Sequence, residues 1–114
     1  MSFECSSEER ALVFRTLVES TGKTELWNDN EPSQRALQLF EDIEKGKGLP
    51  WSPSEQFLFR LAWIIWNVPM AGPALDFAQI FRLDRKNQTM VGELLVALAQ
   101  GTGLKGWAAK NMRS

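Results

Sequence analysis

Apolar and polar positions follow a helical period along nearly the whole chain. Leu12, Val13, Phe14, Leu17 and Val18 recur at spacings of three and four, with Glu9, Arg10, Arg15 and Glu19 on the other side. This predicts an amphipathic helix over residues 7–19. Ser6 and Glu9 form a capping box before it, and Glu8 and Glu9 place negative charge where the helix dipole favours it. Thr21 and Gly22 end it. The following stretch, KTELWNDN (23–30), reads as a polar loop whose two large apolar residues, Leu26 and Trp27, are expected to fold back onto the core. A second helix is predicted to start around Asn30, Glu31 and Pro32. It carries Ala36, Leu37, Phe40 and Ile43 on one face and Gln34, Gln38, Glu41, Asp42 and Lys45 on the other, and Gly46, Lys47 and Gly48 terminate it.

The longest nearly apolar run, SPSEQFLFRLAWIIWNV (52–68), carries a complete helix-start signature. Ser52 is the expected N-cap, Pro53 stands at the first helical position where its missing N–H costs nothing, and Glu55 closes a capping box. At ~100° per residue, Gln56, Arg60, Trp63 and Asn67 fall within a sector of about 60°. Phe57, Leu58, Leu61, Ala62, Ile64, Ile65 and Val68 spread around the rest. Such a helix is buried on most sides and keeps one narrow polar stripe. Pro69, Gly72 and Pro73 stop it.

Gly72 and Pro73 are expected to open a short fourth helix with Ala74, Phe77, Ala78 and Phe81 on one stripe, followed by Leu83 as a buried anchor. Asp84 or Asn87 caps a fifth helix whose apolar face is Val91, Leu94, Leu95 and Leu98. Gly92 inside it costs about 1 kcal/mol of helix propensity relative to alanine, which points either to the close approach of a neighbouring helix or to a tolerated defect. Gly101 and Gly103 end it. The tail, 104–114, either adds a sixth short helix that packs Leu104, Trp107 and Ala108, or frays with Lys105, Lys110 and Arg113 in solvent. No alternating strand pattern is present. The expected fold is all-α, a compact bundle of five or six helices around the central apolar helix 53–68.

At 114 residues the chain fits a single domain, 1–114, able to bury roughly two-thirds of its unfolded surface without disulfides or metals. Five Trp and seven Phe with no Tyr read either as the bulk fillers of that core or as part of an exposed recognition surface. The lone cysteine, Cys5, excludes an intrachain disulfide and favours a reducing, cytoplasmic setting. The start, MSFECSSEER, lacks a basic region followed by an apolar run, so no signal peptide is expected. Residues 57–68 contain Arg60 and fall well short of the ~20 residues a membrane span needs, so no membrane partner is expected. Net charge is −1, but residues 1–48 hold six basic against ten acidic residues and residues 49–114 hold seven against four. The chain is polarised, net −4 then +3.

Candidate chemistry is sparse. There is no histidine, the commonest general base and metal ligand. Cys5 has no activating partner in the sequence, and the carboxylates Glu8, Glu9, Glu41, Asp42 and Glu44 fall on solvated helix faces. The GKG at 46–48 lacks the spacing of a phosphate-binding loop. The expectation is therefore no catalytic, cofactor-binding or metal-binding residue, no cofactor, no small-molecule substrate and no enzymatic activity.

Two binding readings remain. The first is a small protein-interaction module, an adaptor, inhibitor, immunity or assembly protein, binding another protein or itself through Phe59, Arg60, Trp63, Trp66 and Asn67. An aromatic bordered by Arg60 and Asn67 has the composition of an interface hot spot. Its competitor is that loop 23–30 or the tail covers this stripe and makes Trp63 core. The second reading is a helix-turn-helix-like nucleic-acid binder in residues 73–101. There Arg82, Arg85, Lys86, Asn87 and Gln88 cluster at the turn and the start of the following helix, where such motifs place phosphate and base contacts. The turn lacks the usual glycine, the helix continues with Glu93 and an apolar stripe, and net charge −1 gives weak attraction to DNA.

Overall fold

The structure, a computed structural model, describes residues 6–67 and 77–112. Five α-helices carry the fold: α1 (Ser7–Ser20), α2 (Gln34–Glu44), α3 (Pro53–Trp66), α4 (Arg85–Gln100) and α5 (Leu104–Asn111). Short 3₁₀ segments occupy Thr24–Leu26 and Phe77–Arg82. The architecture is an all-α bundle.

The helix starts follow the local chemistry. Glu9 N–H donates to Ser6 Oγ at 3.1 Å and Ser6 N–H donates to Glu9 Oε1 at 3.2 Å. The same reciprocal box joins Ser52 and Glu55 at 3.3 and 3.1 Å, with Pro53 in the first turn. Asp84 caps α4 by accepting from Asn87 N–H at 3.0 Å. Gly101 closes α4 at φ 72° and Gly103 opens α5 at φ 91°, a left-handed pair that reverses the chain in three residues.

Two expectations change. The second helix starts later than Asn30: Ser33 is its cap, accepting from Ala36 N–H at 3.2 Å. Glu31–Pro32 instead pairs antiparallel with Trp27–Asn28, Trp27 opposite Pro32 and Asn28 opposite Glu31. Pro32 biases Glu31 to an extended backbone, and Asp29 supplies the positive φ of 57° that the tight turn requires. Strands of two residues are too short to show alternation in a sequence. The expected fourth helix appears, among the described residues, as the 3₁₀ segment Phe77–Arg82; residues 73–76 and Val68 lie outside the described residues.

The tail forms α5, and Leu104, Trp107 and Ala108 are buried. Trp107 Nε1–H donates to Met90 carbonyl at 2.9 Å, which fastens α5 to α4. One apolar cluster unites the helices, with α3 at its centre packed along α1. Phe14 of α1 is ringed by Trp27, Phe59, Trp63 and Trp66 at centroid distances of 5.7 to 6.3 Å. Leu26 is buried and Trp27 half-buried against the core, as the loop's two apolar residues required.

Candidate interaction surface

The central-helix stripe is not a surface. Trp63 is 4% exposed and Phe59 is 2% exposed. The Trp63 ring is stacked on Phe40 of α2, and Trp66 meets Trp27 of the hairpin edge-on at 5.9 Å. Arg60, Trp66 and Asn67 are half-buried, and Trp66 carbonyl accepts from Arg10 Nη1 at 3.4 Å. The reading of Phe59 and Trp63 as exposed hot-spot residues is therefore corrected. The loop 23–30 covers part of the stripe through Trp27, and α2 covers the rest through Phe40. The amphipathic face of α2 needs an apolar partner, and the aromatics of α3 provide it. Trp63 Nε1–H is buried without a hydrogen-bond acceptor among the described residues.

The residues at the start of α4 stand differently. Arg82, Arg85 and Lys86 are exposed and form no ion pair among the described residues. Asn87 and Gln88 are half-buried, and Gln88 Nε2–H donates to Ile80 carbonyl at 3.0 Å, tying α4 to the 3₁₀ segment. Gln88 thus has a structural partner. Beside these cations Phe81 is 85% exposed. The sequence placed Phe81 on an apolar stripe with Ala74, Phe77 and Ala78; the 3₁₀ winding, three residues per turn, aligns Ile80 with Leu83 towards the core and turns Phe81 outward. The outcome is an exposed aromatic next to Arg82 in the chain and a few positions before Arg85 and Lys86, with the exposed Asp84 between those cations.

Two further exposed apolar residues accompany it, Leu37 at 39% and Val96 at 54%. Leu37 lies on α2 one turn before Glu41 and two before Glu44, both exposed. Val96 borders a groove of about 570 Å³ between α4 and α5, lined also by Thr89, Gly92, Gly103, Gly106 and Trp107. The ion pair Lys110–Glu93, 2.9 Å, stands at its edge. A Cβ at Gly92 would meet nothing within 4 Å, so the expected close helix approach at Gly92 is not made; that glycine faces the groove.

A polar cleft of about 570 Å³ joins the ends of three helices through Ser20, Thr21, Ser52, Ser54, Glu55, Arg82, Asp84 and Asn87. Its Glu55 carboxylate is held below the usual range, first by the backbone N–H of Ser52 and further by Lys23, against an opposing push from burial. Lys23 Nζ lies 3.2 Å from Glu55 Oε2 and 4.7 Å from the Trp51 ring centroid. Ser52 Oγ–H donates to Glu55 Oε1 at 3.2 Å, and the Glu55 and Asp84 carboxylates serve as helix caps. Among the described residues no group of three or more Cys, Asp or Glu is placed to hold a metal ion, and no helix is long and apolar enough to cross a membrane.

Sequence reasoning missed Phe81 and Leu37. The signal for Leu37 was available, because at ~100° per residue it falls only about 40° from Glu41 on the helix. No equivalent signal marked Phe81, whose outward turn depends on 3₁₀ winding. The chain matches no protein-family model, no curated protein and no solved structure.

Proposed function

We propose that this chain is a small, non-enzymatic, cytoplasmic protein-interaction module of the adaptor, inhibitor, immunity or assembly kind, and that it contacts its partner through the corner made by Phe81, Arg82, Arg85 and Lys86. The observation that carries the reading is Phe81, 85% exposed and close in sequence to the exposed cations Arg82, Arg85 and Lys86. Aromatic and arginine side chains together supply most interface hot spots, and an exposed phenyl ring gains from burial by a partner. The capped start of α4 and the Gln88–Ile80 bond hold this corner rigid, so little ordering is lost on binding. The absence of histidine supports a non-enzymatic role, and the single cysteine supports a reducing compartment.

The test is selection of random peptides displayed on phage against the wild-type protein. The expected winners are acidic and carry an apolar residue. Phe81→Ser should weaken them roughly 30-fold, the loss typical of a hot-spot side chain. Winners indifferent to Phe81→Ser place the contact elsewhere and end this reading.

The same three cations support a second reading, nucleic-acid binding at the start of α4. Three phosphate contacts correspond to a log–log salt slope of roughly −2.7, small for a duplex-binding protein. Arg85→Ala with Lys86→Ala should flatten that slope by roughly two units in a duplex titration. An unchanged slope removes the nucleic-acid reading.

A further inference from the structure

Two of the three exposed large apolar residues, Phe81 and Leu37, stand close in sequence to exposed charges of opposite sign. Phe81 is followed in the chain by Arg82 and, a few positions on, by Arg85 and Lys86, exposed cations with no ion pair among the described residues, with the exposed Asp84 between them. Leu37 lies on α2 with Glu41 and Glu44, exposed carboxylates that form no ion pair among the described residues. Each patch is an apolar anchor whose neighbouring charges are mostly of one sign, three cations against the exposed Asp84 at the corner and two carboxylates against the exposed Lys45 at the end of α2, and the two prevailing signs are opposite. They belong to different parts of the fold: α2 packs on the hairpin and the 3₁₀ turn Thr24–Leu26, whereas the segment Phe77–Arg82 packs on α3.

From this juxtaposition we infer that the Phe81 corner docks the Leu37–Glu44 strip of a second copy of the chain, a head-to-tail self-association. The inference rests on the reading of that corner as a protein-contact surface and names its occupant. Apolar contact between Phe81 and Leu37 supplies the desolvated centre, and Glu41 and Glu44 against Arg82, Arg85 and Lys86 supply register and attraction at the rim. Because the two surfaces differ, the contact is heterologous: each docked copy still presents one free corner and one free strip, so assembly closes into a ring or continues as a chain. The charge division along the sequence, net −4 over 1–48 and net +3 over 49–114, has the same polarity.

The experiment is light scattering with size exclusion on the full chain across a concentration series, at about 0.01 M and about 1 M salt, where charges act over roughly 30 Å and 3 Å. The wild-type mass should rise above the 12.9 kDa monomer with concentration at low salt and return to it at high salt. Leu37→Ser with Glu41→Gln disables the strip, and Phe81→Ser with Arg85→Ala disables the corner. All four positions are exposed, so the fold tolerates both pairs. Each variant alone should remain at the monomer mass. Their equimolar mixture keeps one intact corner and one intact strip, and should yield a complex of twice the monomer mass that grows no further.

A wild type that stays monomeric throughout, or a mixture that stays monomeric, overturns self-docking. The two levels of the reading separate with one probe, a synthetic peptide in which leucine is flanked by glutamates. A monomeric wild type that binds this peptide in a Phe81-dependent way loses the second copy as occupant and keeps the corner as a contact surface. A wild type that neither associates nor binds the peptide loses both.

Discussion

The indole of Trp63 lies flat on the phenyl ring of Phe40, with centroids 3.9 Å apart and planes 19° from parallel. This contact joins α2 to the central helix and is the reason Trp63 is core. Its N–H has no acceptor among the described residues, a cost of about 1–3 kcal/mol that the packed ring must outweigh.

Trp63→Ala should therefore destabilise the protein by about 3–5 kcal/mol, and Phe40→Ala by a similar amount. Because the rings stack, the double variant should lose less than the sum, with a coupling of about 0.5–1.5 kcal/mol. Urea denaturation of the four proteins measures this. A loss near zero for Trp63→Ala, as at an exposed site, contradicts the packing.

Acid should weaken the start of α3. Glu55 titrates below its ordinary 4.5, because the Ser52 N–H and then Lys23 favour its charged form. A carboxylate depressed in the folded state stabilises above its unfolded pKa, and that stability is lost as pH falls through the folded value. Melting temperatures of wild type and Glu55→Gln should thus differ near neutral pH and converge as the pH drops below about 4.5. A gap that persists unchanged in acid assigns the effect to something other than this charge.

Gly92→Ala should raise stability by about 0.5–1 kcal/mol. The added methyl meets nothing within 4 Å, so only the helix propensity changes. A shift of the urea midpoint to higher concentration with an unchanged slope is the expected result; a destabilised variant puts a neighbour against that face.

Gln88→Ala removes the bond to Ile80 carbonyl that anchors the 3₁₀ segment to α4. The expected loss is about 0.5–1.5 kcal/mol, with faster tryptic cleavage after Arg82 as the local readout. Cleavage at the wild-type rate means that other contacts of Ile80 and Leu83 hold the segment.

What was legible in the residues is local. Ser6 with Glu9, Ser52 with Pro53 and Glu55, and Asp84 before α4 each settle a helix start within three or four positions, so their interactions are encoded side by side in the chain. The apolar stripes of α1, α2 and α4 likewise follow from period alone, and so does the all-α class. Tertiary structure decided what stood against each stripe. Periodicity gives the angle of Trp63 on its own helix and carries no information about Phe40, 23 positions earlier, arriving to cover it. It cannot tell whether a six-residue segment winds as α or 3₁₀, and that choice turned Phe81 from the core to solvent. Nor can it tell whether Gly92 admits a neighbouring helix or borders an open groove. Capping depends on a few adjacent residues; coverage depends on the simultaneous placement of helices distant in sequence, and only the assembled core selects it.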